Sequence, residues 1–238
     1  MATGRLLVTL CTYNERENIA ALIPEIWTFA PTADILVIDD NSPDGTGQVA
    51  DDWAARDSRM HVLHRPGKLG LGTATLAGFR FALQHDYDLL INLDADFSHH
   101  PRFIPALLVA SDKADVTIGS RYVVGGGVVG WGLRRHFMSR AINWYARALL
   151  RLKTRDNSGA YRCYRVAKLR ELDFGGFVSR GYAIQEEILY RCRRIGCRFA
   201  ETPIVFEDRR HGASKINLGE SIAAGWIILR LAIAGCFS

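Results

Sequence analysis

The sequence predicts an α/β fold with a Rossmann-like, mostly parallel central sheet and helices on both of its faces. In the first half of the chain, short apolar runs alternate with longer segments in which apolar residues recur every three or four positions. The first pattern is typical of buried strands and the second of amphipathic helices. A strand, a helix and a second strand in succession make two parallel strands with a right-handed crossover. Several apolar runs also end in polar residues, and such sheets bind ligands beyond the carboxyl ends of their strands.

The elements follow in order along the chain. Apolar runs predict five strands, at residues 6–10, 35–38, 62–63, 89–93 and 116–118. Helical spacing predicts helices at residues 18–29, 71–83 and 103–108, and another that begins after Gly45. Pro101 suits the start of the helix at 103–108, because a missing N–H is tolerated in the first turn.

The alternation ends near residue 125. Beyond it we expect a glycine-rich loop at 125–132, a basic helix at 133–152, a helix at 182–195 and a strand at 200–206. An apolar segment at 222–237 follows, with Arg230 inside it. This segment is shorter than the about 20 residues that span a bilayer. We therefore expect a core or interfacial helix, with the start of a membrane anchor as the alternative.

Composition indicates one globular domain and an anionic partner. Of the 238 residues, 48% are hydrophobic and 23% are charged, which is typical of a folded chain rather than a disordered one. The formal net charge of +5 favours phosphates, acidic lipids or nucleic acid as partners. No motif supports the binding of nucleic acid. The five cysteines lack metal-ligand spacing and the N-terminus lacks a signal peptide, so we expect free thiols in a reducing compartment.

Four of the predicted strands end in polar clusters. The clusters are residues 11–15 (CTYNE), 39–42 (DDNS), 94–96 (DAD) and 119–122 (GSRY). Taken alone, the sequence from Asp39 to Gly45 also suits a turn and a helix cap. Four clusters at the same rim of a parallel sheet indicate a binding site instead.

The third of these clusters predicts a metal site. Alternate residues of a strand face the same way, so Asp94 and Asp96 would point together, about 7 Å apart along the backbone. Two like charges that close are unfavourable without a cation. Carboxylate oxygens suit Mg²⁺ or Mn²⁺, which completes its coordination with water and a substrate phosphate. A diphosphate then needs more positive charge, for which Arg121, Arg209 and Lys215 are the candidates.

Three other features favour structural roles. His99 and His100 are adjacent and have no cysteine nearby, so packing or a helix start is expected rather than a zinc site. The sequence LGLGTA at 69–74 lacks the ending of a phosphate loop, so its glycines predict close backbone packing beside a ligand. The basic helix interleaves arginines with apolar side chains, which fits docking on the protein body or on an acidic bilayer surface.

Together, these stretches resemble the family-2, GT-A-type glycosyltransferases, and among them the dolichol-phosphate or polyprenol-phosphate mannosyltransferases. The matching stretches are TYNERENI (12–19), VIDDNSPDGTG (37–47), KLGLGTA (68–74), LDADFSHHP (93–101), IGSRY (118–122), GGVVGWGLRRHFMSR (126–140) and FEDRRHGASK (206–215). They cover nearly the whole chain in the order of the family. The chain departs from the family pattern at Cys11, where proline is common, and at Ser98, where some relatives carry glutamine.

The resemblance implies a single GT-A catalytic domain over 1–238, with a nucleotide-sugar-binding half at 1–124 and an acceptor-binding half with membrane-facing basic and apolar helices at 125–238. It implies GDP-mannose as the donor, bound by Cys11, Tyr13, Glu15, Ile38, Asp40, Asp94, Ala95, Asp96, Arg209 and Lys215. It implies Mg²⁺ or Mn²⁺ at Asp94, Asp96 and Ser98, and an acceptor phosphate at Arg121, Arg135 and Ser139. Asp94, Asp96 and Arg121 form the implied catalytic set.

The implied reaction moves mannose to dolichyl or polyprenyl phosphate with inversion, at the cytoplasmic side of a membrane to which the protein is peripheral. A small membrane partner subunit is compatible with this reaction. A related enzyme that uses UDP-glucose or another nucleotide sugar, on polyprenyl phosphate or on a glycan, is the nearest alternative. A glycan acceptor would need a carboxylate base and no anion clamp. A nucleotide-sugar-binding subunit without turnover is a second alternative, which metal-dependent hydrolysis of the donor would exclude.

Overall fold

A computed structural model describes residues 4–208 and 218–236, and these contain two sheets. The strands are β1 (Leu6–Thr12), β2 (Asp34–Asp39), β3 (Met60–His64), β4 (Leu89–Asp94), β5 (Val116–Ser120), β6 (Gly127–Val129), β7 (Arg162–Arg165), β8 (Phe199–Pro203) and β9 (Val205–Glu207). The helices are α1 (Arg16–Phe29), α2 (Thr46–Ala54), α3 (Leu71–Gln84), α4 (Ile104–Ser111), α5 (Leu133–Leu149), α6 (Val166–Leu169), α7 (Ile184–Arg194) and α8 (Leu218–Cys236). Short 3-10 turns lie at Pro101–Phe103 and Phe174–Gly176.

The main sheet has seven strands in the order β3-β2-β1-β4-β7-β5-β8. All neighbouring pairs are parallel except those of β7, which runs antiparallel between β4 and β5. The prediction of a mostly parallel sheet is therefore confirmed. The sequence analysis missed β7, because its four residues, Arg-Cys-Tyr-Arg, show no apolar run.

Each face of the sheet carries a core, because side chains alternate along every strand. On β1, Leu7 packs with α3 and α7 on one face, whereas Val8 packs with α1 and α4 on the other. Both side chains are fully buried. Burial on two faces explains why these strands are continuous apolar runs in the sequence. Each fully buried aliphatic side chain contributes about 1.5–3 kcal/mol.

The strand predicted at 200–206 is in fact two strands in different sheets. β8 ends at Pro203 in the main sheet, and β9 pairs in parallel with β6, inside the predicted glycine-rich loop. Proline has no N–H for a ladder hydrogen bond, so the chain changes sheets there. The backbone N–H of Asp208 donates to the carbonyl of Val129 (3.2 Å), which holds the end of this segment beside the start of α5.

α8 packs on the core through one face. Ile228 and Leu231 are buried against the main core cluster, whereas Ile222, Trp226 and Ile233 are exposed. The expected core contact is confirmed, and the opposite face exposes these apolar side chains together with Arg230. None of the helices in the described ranges is both long and apolar enough to cross a membrane.

The start of α3 is a close backbone contact. Gly70 has a φ of 95°, and the N–H of Gly72 donates to the carbonyl of Arg180 (2.8 Å). A Cβ on Gly72 would lie 2.5 Å from the carbonyl oxygen of Ser179, which is too close for any side chain. The predicted role of these glycines in close backbone packing is confirmed.

The described cysteine side chains agree with the prediction of free thiols. Cys11, Cys163, Cys192 and Cys197 form no disulfide. The side chain of Cys236 lies outside the described residues.

Candidate active site

Three predicted donor-site residues form one row across the sheet. Cys11 on β1 is in register with Ile38 on β2 and with Asp94 on β4. Neighbouring strands lie about 4.8 Å apart, so the row brings together residues that are up to 83 positions apart in sequence. Tyr13 and Asp40 follow within two residues of the ends of β1 and β2. The carboxyl edge of the sheet therefore carries the predicted donor site.

The two adjacent carboxylates after β2 have different tasks. Asp39 accepts hydrogen bonds from Thr12 Oγ1 (3.0 Å) and from the N–H of Ser42 (3.0 Å), so it holds the turn. Asp40 instead lies 3.1 Å from Nε of Arg65 and accepts from the N–H of Leu69 (3.2 Å). Burial raises the pKa of Asp40, although Arg65 acts in the opposite direction. The turn interpretation holds for Asp39, and the predicted ligand residue Asp40 faces a buried arginine.

The loop after β1 places two further predicted donor residues. The ammonium group of Lys68 lies 4.6 Å from the ring centre of Tyr13, a cation–π contact. Glu15 accepts from the side-chain amide of Asn18 (2.7 Å), and its N–H donates to Thr46 Oγ1 (2.9 Å). These contacts fix the loop against the starts of α1 and α2.

The neighbouring Cys11 is neutral. Burial raises the pKa of this thiol to about 12, so it contributes shape and not charge to the site. A proline in its place, as the family commonly has, would also be uncharged.

The DAD sequence straddles the end of a strand. β4 ends at Asp94, and Asp96 lies in the turn that follows, so the strand-alternation argument for the two carboxylates is wrong. Asp96 Oδ1 accepts from both the N–H (3.1 Å) and the hydroxyl (2.5 Å) of Ser98. Phe97 has a φ of 63°, a left-handed conformation that turns the chain back on itself.

His99 lies beside this turn. Its Nδ1 lies 3.4 Å from Asp94 Oδ2 and accepts the backbone N–H of Asp94 (3.3 Å). Burial lowers the pKa of His99 to about 4, so the ring is neutral and packs against Tyr161 and Phe206. His100 accepts the N–H of Arg102 and caps the 3-10 turn. The predicted structural roles of both histidines are confirmed.

The residues at the end of β4 fit a divalent cation. The side chains of Asp94 and Asp96 both offer carboxylate oxygens, the ligand atoms that Mg²⁺ and Mn²⁺ prefer. The side chain of Asp94 is 35% exposed, so it is open to a ligand from solvent. Ser98 is buried and donates its hydroxyl proton to Asp96, which makes it a residue that orients this carboxylate. In the described part of the chain, histidine, cysteine and carboxylate side chains form no group of three that could hold a metal ion, so water and substrate would complete the coordination.

Arg121, at the end of β5, is held by a buried carboxylate. Asp156 accepts from the N–H (2.9 Å), Nε (2.7 Å) and Nη2 (2.6 Å) of Arg121. Burial alone would raise the pKa of Asp156, but Arg121 outweighs it and holds that pKa below its usual range. Burial likewise lowers the pKa of Arg121, but Asp156 raises it more, and Asp94 acts in the same direction. Arg121 is thus a fixed cation within electrostatic reach of Asp94.

The other two predicted acceptor residues lie on the first turns of α5. Arg135 pairs with Asp208 (3.0 Å) and stacks over Trp131 at 4.2 Å. Ser139 Oγ lies 2.6 Å from the hydroxyl of Tyr122, whose ring is 5.3 Å from the Arg121 guanidinium. The structure therefore connects Arg121 and Ser139 through Tyr122. Arg209 and Lys215 lie outside the described residues.

The sequence analysis missed several buried polar residues beside the site. Asp156 and Arg65 are the partners of two predicted residues, yet each sits in a stretch without a recognised motif. Glu186 on α7 is also buried, and burial raises its pKa to about 7. An unusual run of polar residues, Gln185 to Glu187, at the start of a packed helix was the available signal.

Comparison with known proteins agrees with this geometry. Residues 7–173 match the family described as glycosyl transferase family 2. The chain belongs to glycosyl transferase family 2. Two relatives of this family member are each 44% identical to it over 90% of its length. One is an undecaprenyl-phosphate mannosyltransferase from Micrococcus luteus, of which 88% is covered, and the other is a polyprenol monophosphomannose synthase from Mycolicibacterium smegmatis, of which 82% is covered.

Solved structures show the fold of this family member. A glucosyl-3-phosphoglycerate synthase from Mycobacterium tuberculosis, in complex with Mn²⁺, UDP and phosphoglyceric acid, superposes with a TM-score of 0.69 at 20% identity. The match covers 99% of this chain and 79% of that one. A complex of that enzyme with Mn²⁺, UDP-glucose and phosphoglyceric acid gives a TM-score of 0.68 at 19% identity, with 99% and 80% covered. The predicted GT-A fold is confirmed.

Proposed function

We propose that this protein transfers mannose from GDP-mannose to a polyprenyl monophosphate with inversion, giving polyprenyl β-mannosyl phosphate and GDP. One observation carries the proposal. Asp94, the carboxylate at the end of β4, and the fixed cation Arg121, which follows β5, lie within electrostatic reach at one edge of the sheet. This arrangement suits a reaction between two phosphate-bearing substrates. Both named relatives, at 44% identity, support mannose and a polyprenyl phosphate as its substrates.

On the donor side, the row of Ile38, Cys11 and Asp94 would line the nucleotide pocket together with Tyr13, Glu15, Asp40 and Ala95. Asp94 and Asp96 would hold Mg²⁺ or Mn²⁺, with Ser98 orienting Asp96. When bound, the metal would neutralise the charge that develops on the departing diphosphate. Arg209 and Lys215 would add positive charge on the same side.

On the acceptor side, the lipid phosphate is itself the nucleophile. A phosphate monoester has a second pKa of about 6, so the lipid phosphate is largely ionised at neutral pH and needs no strong general base. Arg121, Arg135 and Ser139 would bind it and point one oxygen at the anomeric carbon of the sugar. Attack from the side opposite GDP inverts the configuration of that carbon. The Asp156 carboxylate keeps Arg121 in one orientation. Because folding has already oriented this guanidinium group, no free energy of reorganisation is needed during the reaction.

The acceptor's hydrocarbon chain requires a membrane surface next to the site. α5 and α8 expose bulky apolar side chains on faces that point away from the core: Leu133, Phe137, Trp144, Ile222, Trp226 and Ile233. Arginines accompany them on α5, which suits the headgroup layer of an acidic leaflet. These exposed side chains support a peripheral association with a membrane, and we propose that the enzyme acts at its cytoplasmic side.

The test is incorporation of labelled mannose from GDP-mannose into polyprenyl phosphate, with Mn²⁺ or with EDTA, and with UDP-glucose in parallel. With Mn²⁺ present, we expect labelled lipid from GDP-mannose and none from UDP-glucose. In EDTA, we expect no mannosyl lipid. Label from UDP-glucose alone would contradict the donor. Transfer that is undiminished by EDTA would contradict the metal.

A further inference from the structure

A basic cavity of about 350 Å³ lies along α5. Its lining residues are Tyr122, Arg140, Asn143, Trp144, Arg147 and Arg155. Four of these come from α5 at a spacing of three or four residues, so they share one face of the helix. Tyr122 and Arg155 line the cavity from the loops that follow β5 and α5, and the cavity is open to solvent. A cavity of this size accommodates a phosphate group with its ester substituents.

The three arginines of the cavity differ from the other arginines near the site. Among the residues that the structure describes, none of their guanidinium groups forms an ion pair with a carboxylate. By contrast, Arg121 is held by Asp156, and Arg135 by Asp208. Three like charges at one cavity repel each other, and an anion relieves that repulsion. Guanidinium groups bind phosphate oxygens through paired, charge-assisted hydrogen bonds.

The surroundings of the cavity point to a lipid as the source of the phosphate. Leu133, Phe137 and Trp144 lie on α5 next to Arg140 and Arg147, with 90%, 75% and 72% of their respective surfaces exposed. Large apolar side chains of this exposure beside arginines are typical of a helix that lies in the headgroup layer. A soluble phosphate has no apolar group that could contact these side chains.

We propose that this cavity binds the phosphate of an anionic phospholipid headgroup, at a position separate from the acceptor phosphate. The inference rests on the membrane association in the proposed function, and not on the identity of the sugar donor. Tyr122 lines the cavity and contacts Ser139 (2.6 Å), so a headgroup bound there also packs against the side of the acceptor site. The membrane lipid would thereby hold α5 in place while the polyprenyl chain enters.

The experiment compares two double variants of the full chain that remove equal charge. Arg147→Gln with Arg155→Gln empties the cavity of two cations, whereas Arg134→Gln with Arg151→Gln removes two exposed arginines that do not line it. The probe is a short-chain phosphatidylglycerol below its micelle concentration, titrated calorimetrically. We expect the cavity variant to lose more than about tenfold in affinity, since one charge-assisted hydrogen bond is worth about that factor. The control variant stays within about twofold of the wild type.

Vesicles give the second readout. We expect the cavity variant to bind phosphatidylcholine vesicles as the wild type does, and to lose the gain from added phosphatidylglycerol. Arg147→Lys with Arg155→Lys retains part of that gain and guards against a loss through misfolding. Equal losses in the cavity and control variants would overturn the site, because surface charge alone would explain them.

Two competition experiments identify the source of the phosphate. Inorganic phosphate that displaces the short-chain lipid at similar affinity would make the cavity a site for free phosphate and overturn the proposal. Full displacement by a short-chain polyprenyl phosphate would make it the acceptor site, with the same consequence. A wild type that binds phosphatidylglycerol through these arginines, yet makes no mannosyl lipid, would leave the site standing and contradict the proposed function.

Discussion

The partner of each charged residue separates its role from that of its neighbours. Asp39 and Asp40 are adjacent, yet one holds a turn through Ser42 and the other faces Arg65. Arginines also differ by their partners: Arg121 is buried and fixed by Asp156, whereas Arg135 pairs with Asp208. An ionised carboxylate has about four acceptor sites, so one that is open to solvent can bind a ligand beside the hydrogen bonds it already accepts.

Asp94→Asn should abolish transfer while the protein stays folded. Its side chain is 35% exposed, so the change removes a charge without opening the core. We expect kcat/KM to fall by at least about a hundredfold, the usual cost of losing one electrostatic contribution to a transition state. The measurement is mannosyl transfer beside a thermal melt. Asp52→Asn, on the exposed face of α2, is the control and should retain full activity. A variant at Asp94 that turns over normally would refute the assigned role.

Arg135→Ala should impair the use of the lipid far more than the use of the donor. This arginine is a proposed contact of the acceptor phosphate, and a charge-assisted hydrogen bond is worth about 1.5–3 kcal/mol. We expect KM for polyprenyl phosphate to rise about tenfold or more, with KM for GDP-mannose within about twofold. Arg134→Ala, the exposed neighbour on α5, serves as the control. Equal rises in both KM values would count against the acceptor assignment.

Secondary-structure elements position the site through their ends. β1, β2, β4 and β5 each end at the same edge, and α3 begins there by contact with the backbone of residues 179–180. At this scale, the space available at one glycine and the two faces of α8 are the features that mutation can test.

Gly72→Ala should destabilise the protein by about 1–3 kcal/mol, the usual cost of inserting a methyl group where there is no room. The new Cβ would lie 2.5 Å from the carbonyl oxygen of Ser179, so α3 would have to move. Urea unfolding measures the loss. Gly67→Ala is the matched control, because no atom lies within 4 Å of its Cβ position. Similar stability of the two variants would contradict the close packing at the start of α3.

The two faces of α8 should respond differently to truncation. Ile228 is fully buried, so Ile228→Ala should cost about 2–5 kcal/mol of unfolding free energy. Trp226 is 67% exposed, so Trp226→Ala should change stability by less than about 0.5 kcal/mol while weakening the binding of vesicles. Urea unfolding and vesicle sedimentation provide the two measurements. If Trp226→Ala leaves vesicle binding intact, α8 does not face the membrane.

At the scale of the whole molecule, β7 and the segment before it bring later residues of the chain against strands from its first half. β7 lies between β4 and β5, and the segment that leads into it carries Asp156 to Arg121. The ion pair is fully buried on the side of Asp156. Removing one partner of a buried pair leaves an uncompensated charge, which costs far more than the pair itself contributes.

Asp156→Asn should therefore destabilise the fold by about 3–5 kcal/mol at neutral pH. The folded-state pKa of Asp156 is lowered, so its contribution is present above the unfolded pKa of about 3.9 and is lost as pH falls through the folded value. The difference between wild type and variant should shrink below about pH 4. Urea unfolding across pH measures it. Glu171→Gln, which breaks the exposed Lys168 pair, should show little change at any pH. A difference at Asp156 that does not vary with pH would contradict the ion-pair account.

The amino-acid sequence by itself determined the fold class, the order of most elements and the edge of the sheet at which the predicted site residues lie. Those features follow from local patterns: apolar runs, helical spacing and polar residues where strands end. The tertiary structure alone decided that β7 enters the sheet antiparallel, that residues 200–206 divide between two sheets, and that Asp96 lies in a turn beyond β4. It also decided that Asp156 fixes Arg121, and that three arginines without a carboxylate partner among the described residues line a cavity beside Ser139. These are contacts between distant residues, such as 121 and 156, and no local pattern records which distant charge a folded chain will bring near.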